Sequence, residues 1–274
     1  MRNLIGLTGS ISVIIPCYRC SSTILRAINS VISQSLMPAE IILVDDCSGD
    51  ETLTILMNLE EAYSGIVKVI RMSENKGPAS ARNLGWSHAS QDYIAFLDAD
   101  DSWHPEKLQI QYTFMNQHDD IPLSGHLCSI MGDVEPGSTL PASQLFSEIT
   151  RISLIFKNPF YTPSIMIKRN LPIRFDENKR YAEDFFLWQT IAFQGLRIVR
   201  LNSVLANIHK PLYGASGLSA HMWKMEIGEL KCLATLFRSG SIGLVLYICS
   251  TTFSLFKFAR RLLIIKARNI CDLR

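Results

Sequence analysis

The feature that most constrains the fold is an alternation of short β-branched apolar runs with segments of helical spacing. The apolar runs have the length of buried strands and lie at residues 11–15, 40–44, 66–70 and 92–97. The segments in which apolar residues recur every three or four positions lie at residues 22–35, 52–62 and 78–89. Strands that alternate with helices favour an α/β fold, in which a Rossmann-like, mostly parallel sheet is flanked by helices and connected by right-handed crossovers.

Polar residues follow each predicted strand at the point where the strand ends. Tyr18 follows the first strand, Asp46 the second, Lys76 the third and Asp98 the fourth. The carboxyl ends of parallel strands meet at one edge of an open sheet, where such folds bind ligands, so these residues are expected to converge. Neither a GxGxxG fingerprint nor a Walker GxxxxGK[ST] loop is present, so the usual dinucleotide and ATPase sites are not favoured.

Negative charge is concentrated after the fourth strand, where Asp98, Asp100 and Asp101 lie within four positions. Like charges in a partly buried site repel each other, so such a cluster persists only with a compensating cation or with full solvation. One interpretation is therefore a site for a positive ligand. The other is a solvated turn in which Asp101 and Ser102 cap a helix beginning near Pro105, and for Asp101 we favour this second interpretation.

Composition and charge limit the classes of partner. The 274 residues are 47% hydrophobic, enough for a large core, and carry a formal net charge of +2. Residues 224–274 hold nine Lys or Arg against three Asp or Glu, whereas the rest of the chain is acidic. This distribution favours one local anionic partner and no nucleic acid. Seven cysteines without framework spacing, and no secretion signal, favour a reducing cytoplasmic location.

Several stretches carry a resemblance to a known family. They read SVIIPCYRCSSTILRAINSVISQSL at residues 12–36, EIILVDDCSGDET at 40–52, ENKGPASARNLGWSHASQDYIAFLDADDSWHPEKL at 74–108 and, more weakly, RYAEDFFLW at 180–188. Together they resemble family 2 glycosyltransferases of the GT-A fold, in particular bacterial enzymes that assemble O-antigen and other surface polysaccharides.

The resemblance implies that a nucleotide-sugar donor binds at the edge of the sheet. Asp46 would contact the base in a pocket lined by Pro16 and Tyr18, and Lys76 and Arg82 would bring positive charge near the phosphates. Arg82 is placed to reach either the donor or nearby carboxylates. Carboxylates are frequent in turns for structural reasons, so the role of Asp46 depends on the resemblance and not on its position alone.

The resemblance also implies a metal cofactor, Mn²⁺ or Mg²⁺. Asp100 would bind this ion, which bridges the donor diphosphate, while Asp98 faces the ribose. A hard divalent cation is often held by one or two carboxylates together with phosphate oxygens and water, and it neutralises charge on the leaving diphosphate. On this interpretation the substrate complex supplies the cation that the acidic cluster needs.

The weaker motif places Glu183 and Asp184 at the start of a helix predicted at residues 183–193. An inverting sugar transfer needs a general base for the incoming hydroxyl, and a carboxylate is already ionised at neutral pH. The resemblance favours Asp184 as the base and Glu183 as a supporting or acceptor-orienting group. A structural interpretation is also open, because an acidic pair is favourable beside the positive end of a helix dipole, and both can hold together.

The second half of the chain is less regular than the first. Residues 112–155 are rich in Gly and Pro and are interpreted as strands and loops of an acceptor side, followed by a strand at 162–167. The predicted organisation is a GT-A domain at 1–223, made of a nucleotide-sugar half at 1–110 and an acceptor half at 111–223, and a tail at 224–274.

The tail contains an apolar stretch at residues 242–256. It is followed by five cations, Lys257, Arg260, Arg261, Lys266 and Arg268. The stretch is shorter than the roughly 20 residues that span a bilayer, so we interpret the tail as helical and membrane-associating, lying on an anionic membrane surface. A helix that packs on protein or dimerises is the main alternative, and a tilted single span is a lesser one.

These expectations combine into one function. An inverting, metal-dependent enzyme would move a hexose from a nucleotide sugar, a UDP-hexose, to a saccharide linked to undecaprenyl diphosphate in O-antigen or capsule synthesis. It would act as a peripheral protein on the cytoplasmic face of a bacterial inner membrane. Two alternatives stay open. A noncatalytic scaffold that binds nucleotide sugars would not need the carboxylates of Asp100 and Asp184, and a nucleotidyltransferase would need a glycine- and arginine-rich loop after the first strand.

Overall fold

The computed structural model describes residues 8–131, 145–211 and 220–271. Its first half alternates strands and helices as the sequence predicts. The elements are β1 (Thr8–Cys17), α1 (Ile24–Ile32), β2 (Met37–Asp45), α2 (Thr52–Ala62), β3 (Val67–Arg71), α3 (Pro78–His88) and β4 (Tyr93–Phe96). β1 and β2 begin before the predicted apolar runs because Thr8 pairs with Met37 and Gly9 with Pro38, which extends the ladder between them.

The first four strands form a parallel sheet. β1 lies between β2 and β4, and β2 also pairs with β3, all in parallel. A helix lies between consecutive strands along the chain, as crossover connections of parallel strands require. The predicted parallel α/β core is therefore confirmed, and its carboxyl ends lie at one edge.

The second half extends the same sheet with strands of mixed direction. Its elements are β5 (Ser102–Trp103), α4 (Lys107–Gln117), β6 (Leu123–Ile130), β7 (Phe146–Glu148), α5 (Ser153–Phe156), a 3₁₀ turn (Thr162–Ser164), β8 (Met166–Lys168), α6 (Glu183–Phe193) and β9 (Ile198–Ile208). The strand order is β3-β2-β1-β4-β8-β6-β9-β5, and β7 also pairs with β9. β8 is antiparallel to β4 and β6, and β5 is antiparallel to β9.

The prediction of strands and loops over residues 112–155 is right for β6 and β7. It is wrong where α4 continues to Gln117 and where the short helix α5 begins at Ser153. The helical pattern of α4 is hidden because Lys107 and Gln111 share its buried face with Leu108 and Met115. The Gly and Pro positions at 132–144 lie outside the described residues.

Two apolar clusters pack on opposite faces of the sheet, because consecutive strand residues point to opposite sides. In β1, Val13 and Ile15 join the cluster covered by α1, α2 and α4, whereas Ile14 joins the cluster covered by α3 and α6. Gly85 allows α3 to approach the sheet closely, since a Cβ there would lie 2.6 Å from Ile14 Cγ2. This packing holds the first turns of α3 and α6 beside the strand ends.

The C-terminal segment forms α7 (Met222–Arg238) and α8 (Leu244–Cys271). α7 packs on the main domain: Cys232 is buried in the cluster that contains α3 and α6, and a Cβ at Gly228 would lie 2.8 Å from the Tyr181 carbonyl oxygen. The predicted boundary between residues 223 and 224 therefore falls inside the first turn of a helix that belongs to the packed domain.

One face of α8 packs on α7 through polar contacts. Ser254 donates a hydrogen bond of 2.8 Å to Glu226, and Glu229 pairs with Lys257 at 3.4 Å and with Arg261 at 3.2 Å. Two of the five cations predicted to face a membrane thus contact protein. The alternative of a packing helix describes this face of α8.

The opposite face of α8 is apolar and open to solvent. Val245, Phe256 and Leu263 are 77%, 68% and 69% exposed. The side chains of Lys266 and Arg268 lie outside the described part of the structure. Over the described ranges, none of the helices combines the length and apolar character needed to cross a membrane.

Candidate active site

A cavity of about 970 Å³ opens at the carboxyl edge of the parallel strands. Residues at and after the ends of β1, β2 and β4 form one part of its wall, and residues at the starts of α3, α6 and α7 form another. Every predicted site residue except Lys76 lines it: Pro16, Tyr18, Asp46, Arg82, Asp98, Asp100, Glu183 and Asp184. The structure therefore brings together residues from distant parts of the sequence.

Asp46 organises the loop that precedes α3. Its Oδ1 accepts a hydrogen bond from the Lys76 N–H and its Oδ2 accepts one from the Gly77 N–H, both at 2.8 Å. Gly77 has a φ of 88°, a left-handed value that favours glycine, and Pro78 then begins α3 beside the cavity. Burial raises the pKa of Asp46 against the lowering effect of the two N–H groups.

Lys76 contributes its backbone N–H to the site. Its Nζ lies 3.2 Å from Glu74 Oε1, the side chain is 52% exposed, and Lys76 is absent from the cavity lining. The turn that points the N–H groups of Lys76 and Gly77 at Asp46 leaves the Lys76 side chain outside the cavity lining. A role for the Lys76 ammonium at the phosphates stays a prediction.

Arg82 lies at the buried centre of the site. Its Nη2 is 2.8 Å from Asp98 Oδ1 and its Nη1 is 3.0 Å from Glu183 Oε1, and the residue is 4% exposed. Burial lowers the pKa of Arg82, but the carboxylates of Asp98 and Glu183 outweigh burial and raise the pKa, so the guanidinium stays charged. Arg82 therefore reaches nearby carboxylates, and it ties the segment after β4 to the start of α6.

The acidic segment after β4 is compensated by cations of the protein itself. Asp98 pairs with Arg82, and Asp100 Oδ2 lies 2.7 Å from Lys210 Nζ. Arg26 donates a hydrogen bond to the Asp100 carbonyl oxygen. The side chains of Asp98 and Asp100 are 27% and 37% exposed, so a ligand in the cavity can reach them.

Asp101 is not the solvated capping residue that the sequence suggested. It is 2% exposed, and its Oδ1 accepts a hydrogen bond from the His209 N–H at 3.2 Å. Ser102 lies in β5, with its Oγ 2.8 Å from His209 Nε2, and α4 begins without a side-chain cap. Burial, then the charges of Asp98 and Asp100, raises the pKa of Asp101 to about 8. The capping interpretation is wrong because the end of β9 covers this turn.

The acidic pair lies in the first turn of α6. Glu183 is 6% exposed and is held by Arg82, and burial, followed by the charge of Asp184, raises the pKa of Glu183 to about 7. Asp184 Oδ1 accepts a hydrogen bond from the Phe185 N–H at 2.7 Å, and its Oδ2 accepts one from the Thr162 hydroxyl at 3.3 Å. Burial raises the pKa of Asp184 as well. Such a pair is able to take up a proton.

Basic residues that sequence reasoning did not assign also line the cavity. Arg19 follows β1 directly, and the others, which lie in the second half of the chain, are Arg180, Lys210, His221 and Lys224. Arg180 Nη2 donates a hydrogen bond of 3.2 Å to Asn75 Oδ1, in the loop before α3. Arg180 begins the quoted RYAED motif, so its position in the sequence was an available signal. Lys210, His221 and Lys224 depend on where β9 ends and α7 begins, which local patterns do not reveal.

The donor set has the chemistry of a site for a divalent cation that the substrate completes. Within the described ranges, no group of three or more His, Cys, Asp or Glu side chains is arranged to hold a metal ion. Mn²⁺ or Mg²⁺ is often bound by one or two carboxylates, with phosphate oxygens and water as the remaining ligands. Asp98 and Asp100 each have one oxygen engaged by a cation and line the cavity, so they fit this arrangement.

Comparison with known proteins agrees with this geometry. Residues 12–179 match the family described as Glycosyl transferase family 2. The amylovoran biosynthesis glycosyltransferase AmsB of Erwinia amylovora is 31% identical over 214 residues, which cover 73% of this chain and 69% of that protein. The putative glycosyltransferase EpsE of Bacillus subtilis is 30% identical over 206 residues, which cover 73% of each chain.

Solved structures share the fold. The mannosyltransferase PcManGT from Pyrobaculum calidifontis, in complex with GDP-Man and Mn²⁺, has a TM-score of 0.64 at 18% identity and covers 94% of this chain and 75% of that one. S. aureus TarS 1–349 in complex with UDP has a TM-score of 0.59 at 22% identity, and the match covers 81% of this chain and 65% of that one. The chain has a GT-A-like α/β fold, belongs to glycosyl transferase family 2 and is a glycosyltransferase.

Proposed function

We propose that this protein is an inverting, divalent-metal-dependent glycosyltransferase that moves a hexose from a UDP-sugar to a saccharide linked to undecaprenyl diphosphate in O-antigen or capsule synthesis. The observation that carries the proposal is one cavity in which Arg82 joins the donor-side carboxylate of Asp98 to the Glu183–Asp184 pair. Direct transfer requires both substrates to be held together in reacting geometry, and a shared cavity with an acidic group on each side meets that need.

Nucleotide sugars are supported as donors by proteins of similar fold. TarS has been solved with UDP and with UDP-GlcNAc, and PcManGT with GDP-Man. In this chain, Pro16 and Tyr18 border the cavity after β1, and Tyr18 is 46% exposed, so an aromatic face is available to a base. Asp46 lines the same cavity, and Asp98 keeps one carboxylate oxygen for a ribose hydroxyl.

The metal has a defined task in this proposal. Mn²⁺ or Mg²⁺ at Asp100 would neutralise the charge that develops on the leaving diphosphate. The chain prepares the carboxylate for this role, because Arg26 holds the Asp100 carbonyl oxygen and the pairing of β5 with β9 fixes the turn that follows. Asp100 is therefore positioned at the cavity wall by the fold itself.

Asp184 is proposed as the general base. The oxygen of the acceptor hydroxyl attacks the anomeric carbon from the face opposite the nucleotide, and Asp184 takes the hydroxyl proton. The bond from the anomeric carbon to the diphosphate breaks, its electron pair leaves with the diphosphate, and the anomeric configuration inverts. Glu183 is less suited to this role, because it is paired directly with the charged guanidinium of Arg82, whereas Asp184 accepts hydrogen bonds from the neutral Phe185 N–H and Thr162 hydroxyl. Glu183 instead positions Arg82.

The C-terminal helices support a lipid-linked acceptor at a membrane surface. Lys224 and Met225, at the start of α7, line the cavity, and α8 packs on α7 with its open face apolar. An apolar helix face accompanied by basic residues binds anionic bilayers. AmsB and the succinoglycan biosynthesis protein ExoO of Rhizobium meliloti are named for polysaccharide synthesis. We therefore assign the protein to the cytoplasmic face of a bacterial inner membrane, as a peripheral protein.

A donor screen tests the proposal, with a synthetic lipid-diphosphate saccharide as acceptor and analysis of the anomeric configuration of the product. We expect a UDP-hexose to support transfer with inversion, and EDTA to abolish it. Asp100→Ala should lower kcat/KM by roughly a thousandfold, the scale of several kcal/mol of charge stabilisation. Retention of configuration, or near-normal activity of a folded Asp100→Ala variant, would contradict the proposal.

The membrane role is tested by sedimentation with liposomes that contain anionic lipid. Replacing Val245, Phe256 and Leu263 with Ser should lower the bound fraction several-fold, because these side chains supply apolar burial, and high salt should release part of the wild type. The matched control replaces Leu25 and Met57, both 51% exposed on the main domain, with Ser and should bind normally. Unchanged binding of the α8 variant would remove the membrane assignment.

The membrane role of the tail has a second, coarser test in a truncation after Arg238, which deletes α8. UDP binding should persist, because the residues that line the cavity precede this point. Membrane binding should be lost. A truncated chain that stays on the liposomes would show that α8 is not the anchor.

A further inference from the structure

Lys210 forms an ion pair with Asp100 and has no role in the reaction proposed above. It follows β9 closely, and its Nζ lies 2.7 Å from Asp100 Oδ2. Both residues line the cavity, and the side chains of Lys210 and Asp100 are 35% and 37% exposed. The ion pair therefore faces the place where a donor would bind.

The backbone on both sides imposes this pair. β9 is antiparallel to β5, which begins two residues after Asp100, and the His209 N–H donates a hydrogen bond to Asp101. Arg26 holds the Asp100 carbonyl oxygen from the other side. An ion pair between two freely moving surface side chains contributes little energy. Here, however, the sheet brings the backbones of Lys210 and Asp100 together.

A lysine ammonium and a divalent cation compete for the same carboxylate, because each is stabilised by its single negative charge. The lysine stem is flexible, and its ammonium binds phosphate as a point charge. Lys210 thus has a second partner within the cavity whenever a diphosphate is present there. If Lys210 moved from Asp100 to the diphosphate while a metal ion bound Asp100, both anions would keep a positively charged partner.

We propose that Lys210 changes its partner during the reaction. In the free protein Lys210 pairs with Asp100, and in the complex the metal replaces Lys210 at Asp100 while the Lys210 ammonium binds the donor diphosphate. This proposal rests on the proposed function, since it requires a nucleotide-diphosphate donor and a metal at Asp100. It has an unusual consequence: loss of Lys210 should strengthen binding of the metal alone and weaken binding of the nucleotide. A purely structural role for Lys210 would not move the two affinities in opposite directions.

The test measures two affinities in the full-length chain. Mn²⁺ binding without nucleotide is followed by electron paramagnetic resonance, and UDP binding in saturating Mn²⁺ is followed by calorimetry. For Lys210→Met we expect Mn²⁺ to bind about two- to fivefold more tightly, the scale of an exposed ion pair. UDP should bind about tenfold or more weakly, the scale of a charged hydrogen bond. Lys210→Arg keeps a cation and should recover most of the UDP affinity.

The matched control is Lys168→Met. Lys168 is also partly exposed, and its Nζ donates a hydrogen bond to the Asp119 carbonyl oxygen, away from the cavity lining. This control should leave both affinities unchanged, and thermal unfolding should confirm that both Met variants fold. Normal UDP affinity in Lys210→Met, or Mn²⁺ affinity that does not rise, would overturn the proposal while the proposed function stands. A wild-type protein that binds no UDP in Mn²⁺ would instead overturn the proposed function.

Discussion

The two acidic regions of the cavity are compensated in opposite ways. After β4, Asp98 and Asp100 are partly exposed, and each pairs with a cation, Arg82 or Lys210. At the start of α6, the Glu183–Asp184 pair is served by the guanidinium that Asp98 also uses, and burial raises the pKa of both carboxyls. The first region suits a metal cation and a diphosphate. The metal can replace a protein cation at the carboxylate, and the diphosphate can pair with the cation that is released. The second suits the uptake of a proton.

The largest expected effect comes from Asp184→Asn, which alters the second region and spares the first. We expect kcat to fall by about 10²- to 10⁴-fold, the contribution of a general base, because an amide cannot accept the hydroxyl proton. The matched control is Asp92→Asn, an exposed carboxylate at the amino end of β4, which should keep its rate within about twofold. Near-normal kcat in Asp184→Asn would show that Asp184 is not the general base. Glu183 would then be the candidate, and the proposed difference between the two acidic regions would be wrong.

Arg82→Met removes the cation that the two regions share. We expect a loss of about 3–5 kcal/mol in the free energy of unfolding, measured by urea titration, because Glu183 stays buried without its partner. The control is Arg197→Met, which breaks exposed pairs with Asp120 and Glu148 and should cost far less stability, because water screens exposed pairs. If the two variants lose equal stability, Arg82 is not the buried link between the regions.

A smaller effect follows from the pKa of Glu183, which is about 7 in the folded protein and therefore above its ordinary value of 4.5. The native state holds this proton more tightly than the unfolded state, so the stability that Glu183 contributes falls as pH rises from about 4.5 through 7. Relative to wild type, Glu183→Gln should thus gain on the order of 2 kcal/mol of unfolding free energy between pH 5 and pH 8.

Urea titrations at the two pH values provide the measurement for Glu183→Gln. Glu61→Gln, at an exposed position of α2, serves as the control and should show no such gain. A relative stability that stays constant or falls with pH would mean that the carboxyl of Glu183 is not held in its protonated form by burial.

The first half of the fold was predictable because its signals are local. Each of its strands is an uninterrupted apolar run, and each of its helices shows helical spacing without reference to the rest of the chain. α4 is different, because Lys107 and Gln111 are fully buried on its inner face and break the apolar pattern. The packing of α7 was also missed, since its contact with Tyr181 through Gly228 depends on tertiary structure.

The site was predictable where it depends on strand ends and on the family resemblance, as for Asp46, Asp98 and Asp100. Family membership also decides against the scaffold and nucleotidyltransferase alternatives. Lys210 was missed, and Asp101 was misassigned, because both depend on β9 returning beside β5. No local pattern encodes that pairing, which joins residues about a hundred positions apart.

The most direct test of the division between donor and acceptor carboxylates is calorimetric UDP binding in saturating Mn²⁺ for wild type, Asp100→Ala and Asp184→Asn. We expect Asp100→Ala to lose about tenfold or more in affinity, because it removes the carboxylate proposed to hold the metal beside the diphosphate. Asp184→Asn should stay within about twofold of wild type, since a base acts on the acceptor hydroxyl and not on the nucleotide. Equal losses in the two variants would place Asp184 in the donor site and contradict the division.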